Sequence, residues 1–121
     1  MSEDELLRAV LSVCTLYNWR TLHVRPAITA KGYRTAVQGT GVGFPDLLAI
    51  KGGTMIVAEL KSDKGKVTEA QEAWLKAFEP VASLVTVWRP IDWANGSILA
   101  ELSGSGASVH AVGPRTPDRS E

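Results

Sequence analysis

The stretch FPDLLAIKGGTMIVAELK, residues 44–61, sets two acids and a lysine in an otherwise apolar run: Asp46 near its start, Glu59 and Lys61 at its end. Carboxylates brought to one place can hold a hard divalent cation through oxygen. Gly52-Gly53, between the acids, reads as a two-residue hairpin loop. On that register Lys51 opposes Thr54 and Ile50 opposes Met55. Carried to the far end, it sets Asp46 opposite Glu59, with facing Cβ atoms about 4.5–5.5 Å apart. Side chains alternate along a strand, so Glu59 and Lys61 share a face and Leu60 lies on the other.

Like charges that face each other destabilise a sheet, and partly buried carboxylates are costly to ionise. A divalent cation would relieve both penalties; Mg²⁺ typically takes one or two carboxylates together with substrate phosphates and water. Lys61 could instead neutralise one acid, leaving a charge cluster with no chemistry. The residues alone leave both readings open.

The elements that must position these side chains can be read along the chain. Residues 3 to about 17 form an amphipathic helix, with Ser2 as N-cap, Glu5 three residues on, and Leu6, Val10, Val13 and Tyr17 as the apolar stripe. Trp19–Arg25 reads as a strand ended by Pro26. The Gly- and Thr-rich run from Ile28 to Phe44 reads as a long loop, a length that in small domains is functional or disordered. Asp46–Lys51 and Met55–Lys61 are strands, apolar on both faces, which fits a sheet covered on both sides. Thr68–Phe78 is a helix, Ser83–Trp88 a fourth strand, and Ile91–Leu102 contains a short helix. The order α-β-β-β-α-β predicts an α/β fold: a mixed sheet with helices on its faces. Residues 1–102 make one domain; 103–121, opening on SGSGAS and closing on PRTPDRSE, are low in complexity and expected to be disordered.

Composition narrows the classes. The 121 residues suit one domain with a real core, and 45% hydrophobic and 21% charged residues are ordinary for a globular protein. No apolar run approaches the roughly 18 residues a membrane span needs. The acidic start MSEDELL is unlike a signal peptide, and the single Cys14 cannot close an internal disulfide, so an intracellular, cytoplasmic site is expected. Net charge is zero, but between Arg20 and Lys66 eight bases stand against three acids, a net +5. A basic middle third suits a polyanion, and equally a solvated face without a partner.

Gly43-Phe44-Pro45-Asp46 followed by Glu59-Leu60-Lys61 resembles the PD-(D/E)xK nuclease superfamily. GFPDLLAI, AELKSDKGKVTEAQEAWL and VWRPIDW together resemble the VRR-NUC family, virus-type replication-repair nucleases, in particular the small standalone members common in phages. The likeness runs from about Glu3 to Leu102. It implies a restriction-endonuclease-like fold that cuts DNA phosphodiester bonds with Mg²⁺, for which Mn²⁺ can substitute. On the matching positions, Asp46 and Glu59 are the metal-binding acids, with the Leu60 carbonyl an additional ligand. Lys61 positions or activates the attacking water, and Gln71 is the family's helix glutamine. Thr68-x-x-Gln71 is also a capping box, and both uses can hold if the cap takes one end of the amide.

Family members complete the metal shell with a glutamate of the first helix. Of the three acids Glu3, Asp4 and Glu5, Glu3, on the Leu6/Val10/Val13 face and so expected to point inward, is preferred to Glu5, on the Ala9/Ser12/Leu16 face; all three also suit the helix dipole. His23, Arg25, Lys31, Arg34, Lys64 and Lys66 are candidate DNA contacts, and Tyr33 and Gln38 could reach a base or sugar. Trp74, Trp88 and Trp93 read as packing aromatics. The implied partner is branched or junction DNA cut by a homodimer, in the manner of a Holliday-junction resolvase. The alternative is a non-catalytic DNA-binding or assembly protein on a nuclease-like fold. GTGVGF is no phosphate loop, since its glycines precede a strand where a phosphate loop follows one and opens a helix.

Overall fold

The computed structural model describes residues 1–24, 27–29, 32–34 and 42–104. Helix α1, Glu3–Leu16, starts at a complete capping box between Ser2 and Glu5 and buries Leu6, Leu7, Val10 and Cys14. It ends in a Schellman motif: Asn18 takes the left-handed conformation (φ 66°), Trp19 N–H donates to Cys14 O at 2.8 Å, and Asn18 N–H to Thr15 O at 3.2 Å. Asparagine tolerates that conformation because its short amide can bond locally.

Strands β1 (Arg20–His23), β4 (Leu47–Lys51), β5 (Thr54–Leu60) and β6 (Leu84–Trp88) form a mixed sheet in the order β1-β4-β5-β6. The β4/β5 hairpin has the expected register, Lys51 against Thr54 through Leu47 against Ala58. Gly52 alone of the two loop residues has positive φ (59°), which is the type II′ pattern. Helix α2, Glu69–Phe78, carries the chain from β5 back to β6, which lies parallel to β5. Two short helices follow, α3 (Pro90–Ala94) and α4 (Ser97–Ser103), where one was expected.

Alternation along the strands sorts the two faces. Leu47, Ala49, Ile56, Ala58 and Leu60 pack with Leu6, Leu7, Val10 and Cys14 of α1 and Ile98 and Leu102 of α4 in one buried cluster. The Trp19 indole N–H donates to Leu102 O at 2.8 Å and ties α4 to the end of α1. The opposite face carries Met55, Val57 and Glu59, and α2 meets it at the Glu59 end through Gln71. Coverage of this second face by the described residues is partial, contrary to the sequence reading. Val57 is buried, but Met55 is half-buried and Ile50 is 43% exposed. Ten residues of helix, about 15 Å, do not cover the whole width of the hairpin.

Two other expectations change. The run read as one long loop contains a small antiparallel pair, β2 (Ala27–Thr29) and β3 (Gly32–Arg34); the poor β-formers Ala30, Lys31 and Gly32 in sequence between them obscured Ile28, Thr29 and Tyr33. Helix α4 continues to Ser103, one residue past the expected domain end, and the rest of the proposed tail lies outside the described residues. No helix among the described residues is long and apolar enough to cross a membrane.

Candidate active site

The segment Gly43-Phe44-Pro45-Asp46 seats Asp46. Gly43 has φ 87°, and a Cβ there would stand 2.6 Å from the Ala70 carbonyl carbon, so only glycine lets this segment approach the first turn of α2 so closely. The Phe44 ring meets Trp74 edge-on at 4.9 Å and Phe78 at 5.9 Å, which fixes the segment along α2. Pro45 is fully buried. Asp46 then turns its carboxylate to β5, where Oδ2 accepts the Leu60 N–H at 2.8 Å. A strand residue's amide and carbonyl leave the chain on the same side, so the Leu60 carbonyl also faces the Asp46 end of β4.

Glu59 is the one buried charged residue among those described, at 2% exposure. Burial, then the charge of Asp46 and the hydrogen bond the two carboxyl groups can share, push its pKa up to about 8; Lys61 pulls the other way. Glu59 Oε2 accepts the Gln71 side-chain N–H at 2.8 Å and faces Lys61 Nζ at 3.7 Å. Glu59 Oε1 is buried with no hydrogen-bond partner. An unpartnered buried carboxylate oxygen is costly in a native protein.

Gln71 makes the expected capping box with one end of its amide and reaches Glu59 with the other. Its Oε1 accepts the Thr68 N–H at 2.9 Å, and the Thr68 hydroxyl accepts the Gln71 N–H at 3.1 Å, closing the capping box at the start of α2. Its Nε2 is thereby left to hold Glu59. Lys61 continues the β5–β6 ladder through its N–H to Trp88 O at 3.0 Å, which aims its side chain along the Glu59 face.

The oxygens gathered here are hard ligands: the two carboxylates and the Leu60 carbonyl suit Mg²⁺ or Mn²⁺ better than a thiophilic metal. The orphaned Glu59 Oε1 is the position a cation would satisfy. No group of three or more His, Cys, Asp or Glu side chains fit to hold a metal gathers among the described residues.

Glu3 does not join the cluster, and the expectation that it points inward is corrected. It is exposed in the first turn of α1, a helix that packs on the sheet face opposite Glu59. Its helical-wheel position fixes a side of the helix, whereas burial begins only at Leu6. Glu5 is engaged in the cap: its Oε1 accepts the Ser2 N–H at 2.8 Å, and that bond holds its carboxyl below the usual range.

Of the candidate DNA contacts, His23 is exposed at the end of β1 and pairs with Leu47, next to Asp46. Lys64 and Lys66 are exposed on the loop that follows Lys61. Arg25, Lys31 and Gln38 lie outside the described residues, as do the side chains of Tyr33 and Arg34 on β3. The tryptophans pack as expected: Trp88 belongs to the core cluster, Trp93 lies against it, and Trp74 stacks with Phe44 and Phe78.

The sequence named Gly43 and Phe44 only as motif positions and gave no structural role to them or to Arg89. A glycine-aromatic-proline run before an acid is a readable signal for a tight, buried approach. Arg89 precedes Pro90 with Asp92 three residues on, a pattern that reads only as a helix start.

No family model matches the chain, and no curated protein or solved structure matches it either.

Proposed function

We propose that this protein is a Mg²⁺- or Mn²⁺-dependent DNA endonuclease of the VRR-NUC type, with a restriction-endonuclease-like fold, that recognises branched or junction DNA as a homodimer. The observation that carries the reading is Glu59. A carboxylate is buried against a second carboxylate, with one oxygen unpartnered and an ammonium at 3.7 Å. Such a pair needs a proton or a cation to coexist.

In this reading Asp46, Glu59 and the Leu60 carbonyl hold the ion. When bound, it lowers the pKa of a water and neutralises charge on the phosphoryl group. Asp46 is fixed by the Leu60 N–H, and Glu59 by Gln71, so neither must reorganise. Lys61 keeps donors free beyond Glu59, able to orient the attacking water or steady a phosphoryl oxygen. Hydrolysis forms a bond from the water oxygen to phosphorus and breaks the bond to the leaving ester oxygen, which ends protonated. His23, Lys64 and Lys66 are exposed near the same end of the sheet and offer contacts to the phosphate backbone.

The non-catalytic reading rests on the same carboxylates. Glu59 with a pKa near 8 can share a proton with Asp46 at neutral pH and so exist without a cation. Incubation with supercoiled, flapped and four-way-junction DNA in Mg²⁺ or Mn²⁺, with and without EDTA, separates the two. Metal-dependent, EDTA-sensitive cutting is expected; DNA binding without cutting in either metal would leave the non-catalytic protein.

A further inference from the structure

The connection Ser62–Val67 joins the two groups that bind Glu59 Oε2. Lys61 precedes it at the end of β5, and Thr68 follows it as the cap that orients Gln71. Glycine, serine and lysine in an exposed loop would ordinarily leave such a connection loose.

Arg89 gathers this loop. Its Nη1 donates to Gly65 O at 2.7 Å and Ser62 O at 2.8 Å, with Asp63 O at 3.4 Å. Charge-assisted bonds of this kind are stronger than neutral ones. The loop is curled about the guanidinium: Gly65 N–H also donates to Ser62 O at 3.2 Å, and a Cβ on Gly65 would stand 3.0 Å from the Ser62 hydroxyl. Arg89 is itself anchored. It follows Trp88, whose carbonyl accepts the Lys61 N–H, and its own N–H donates to Asp92 Oδ2 at 2.8 Å at the start of α3. Asp63 returns a bond, its Oδ1 accepting the Ile91 N–H at 3.3 Å.

We infer that Arg89 is a positioning residue: by holding the Ser62, Asp63 and Gly65 carbonyls it fixes the span between Lys61 and Gln71 and keeps both on Glu59. It touches neither acid, and it acts through the loop. The inference rests on the nuclease reading for its effect on cleavage, but the tie itself is a property of the loop and can be measured without activity. Loss of the tie would let Lys61 and the α2 cap shift against Glu59, and misplacements of about 1 Å in such groups cost about 10²-fold in rate.

The test is Arg89→Ala and Arg89→Lys beside the wild type, read by amide hydrogen exchange across 62–67 and by steady-state cleavage of supercoiled DNA in Mg²⁺. In Arg89→Ala, loop exchange is expected to rise about tenfold or more while exchange in β4 and β5 is unchanged. Turnover is expected to fall roughly 10–100-fold with KM for DNA within about threefold, and Arg89→Lys or added guanidinium to restore part of it. If Arg89→Ala does not fold, Arg89→Lys carries the comparison with a smaller rise in loop exchange. Unchanged loop exchange, a loosened loop with full turnover, or a loss confined to KM would each overturn the inference. A wild type that cuts no DNA while Arg89→Ala loosens the loop would overturn the nuclease reading and leave the tie standing.

Discussion

Glu59→Gln, compared with the wild type in cation-free solution across pH, isolates the strain held between the two carboxyl groups. In the unfolded chain Glu59 ionises at its ordinary value of 4.5, whereas in the folded protein it keeps its proton to about 8. Between those values the unfolded state binds fewer protons than the native state, so folding stability falls as pH rises and levels off above about 8. Each pH unit is worth about 1.4 kcal/mol, so between pH 5 and 7.5 the wild type is expected to lose about 3 kcal/mol through this group. The substituted amide is neutral throughout and can still donate toward Asp46, so the variant lacks that loss. Urea unfolding of both proteins in EDTA, at pH 5, 6, 7 and 7.5, gives the difference directly. The variant should gain on the wild type steadily with pH, reaching about 3 kcal/mol of relative stabilisation. Two stability curves that stay parallel across this range would refute the account of Glu59 as a buried acid pressed against Asp46.

Lys61→Ala should reduce DNA cleavage by about 10²-fold or more while leaving DNA affinity largely intact, since one donor at the reacting phosphate is removed while the exposed backbone contacts remain; equal losses in cleavage and in binding by gel shift would assign it a structural role. Gly43→Ala places a methyl 2.6 Å from the Ala70 backbone at φ 87° and should cost about 2–4 kcal/mol in urea unfolding. Gln71→Glu keeps a carboxylate oxygen for the Thr68 cap but sets a third acid against Glu59, so thermal melting should show destabilisation that grows with pH, where Gln71→Ala shows a nearly pH-independent loss of about 1 kcal/mol.

The hairpin was legible because its determinants are local. Gly52-Gly53 selects the loop, the loop selects the register, and the register carries Asp46 to the Glu59 end of β5. The Thr68–Gln71 capping box was legible for the same reason, since capping is set by residues three apart, whereas the reach of Gln71 to Glu59 depends on how α2 lies on the sheet. Glu3 was misplaced because a helical wheel says which side of α1 a residue takes, and not which face of the sheet that helix covers or where its first turn ends. Coverage of Ile50 failed similarly: an apolar strand face does not state how long the helix over it will be. Arg89 was illegible because its partners are carbonyls, which any residue supplies, more than twenty positions earlier in the chain.

A crystal soaked in Mn²⁺ and read by anomalous scattering tests the central claim most directly. A peak is expected within bonding distance of carboxylate oxygens from both Asp46 and Glu59, on the Gln71 side of the sheet. Well-ordered carboxylates at that place with no anomalous peak, in saturating Mn²⁺ at a pH above 8, would contradict it.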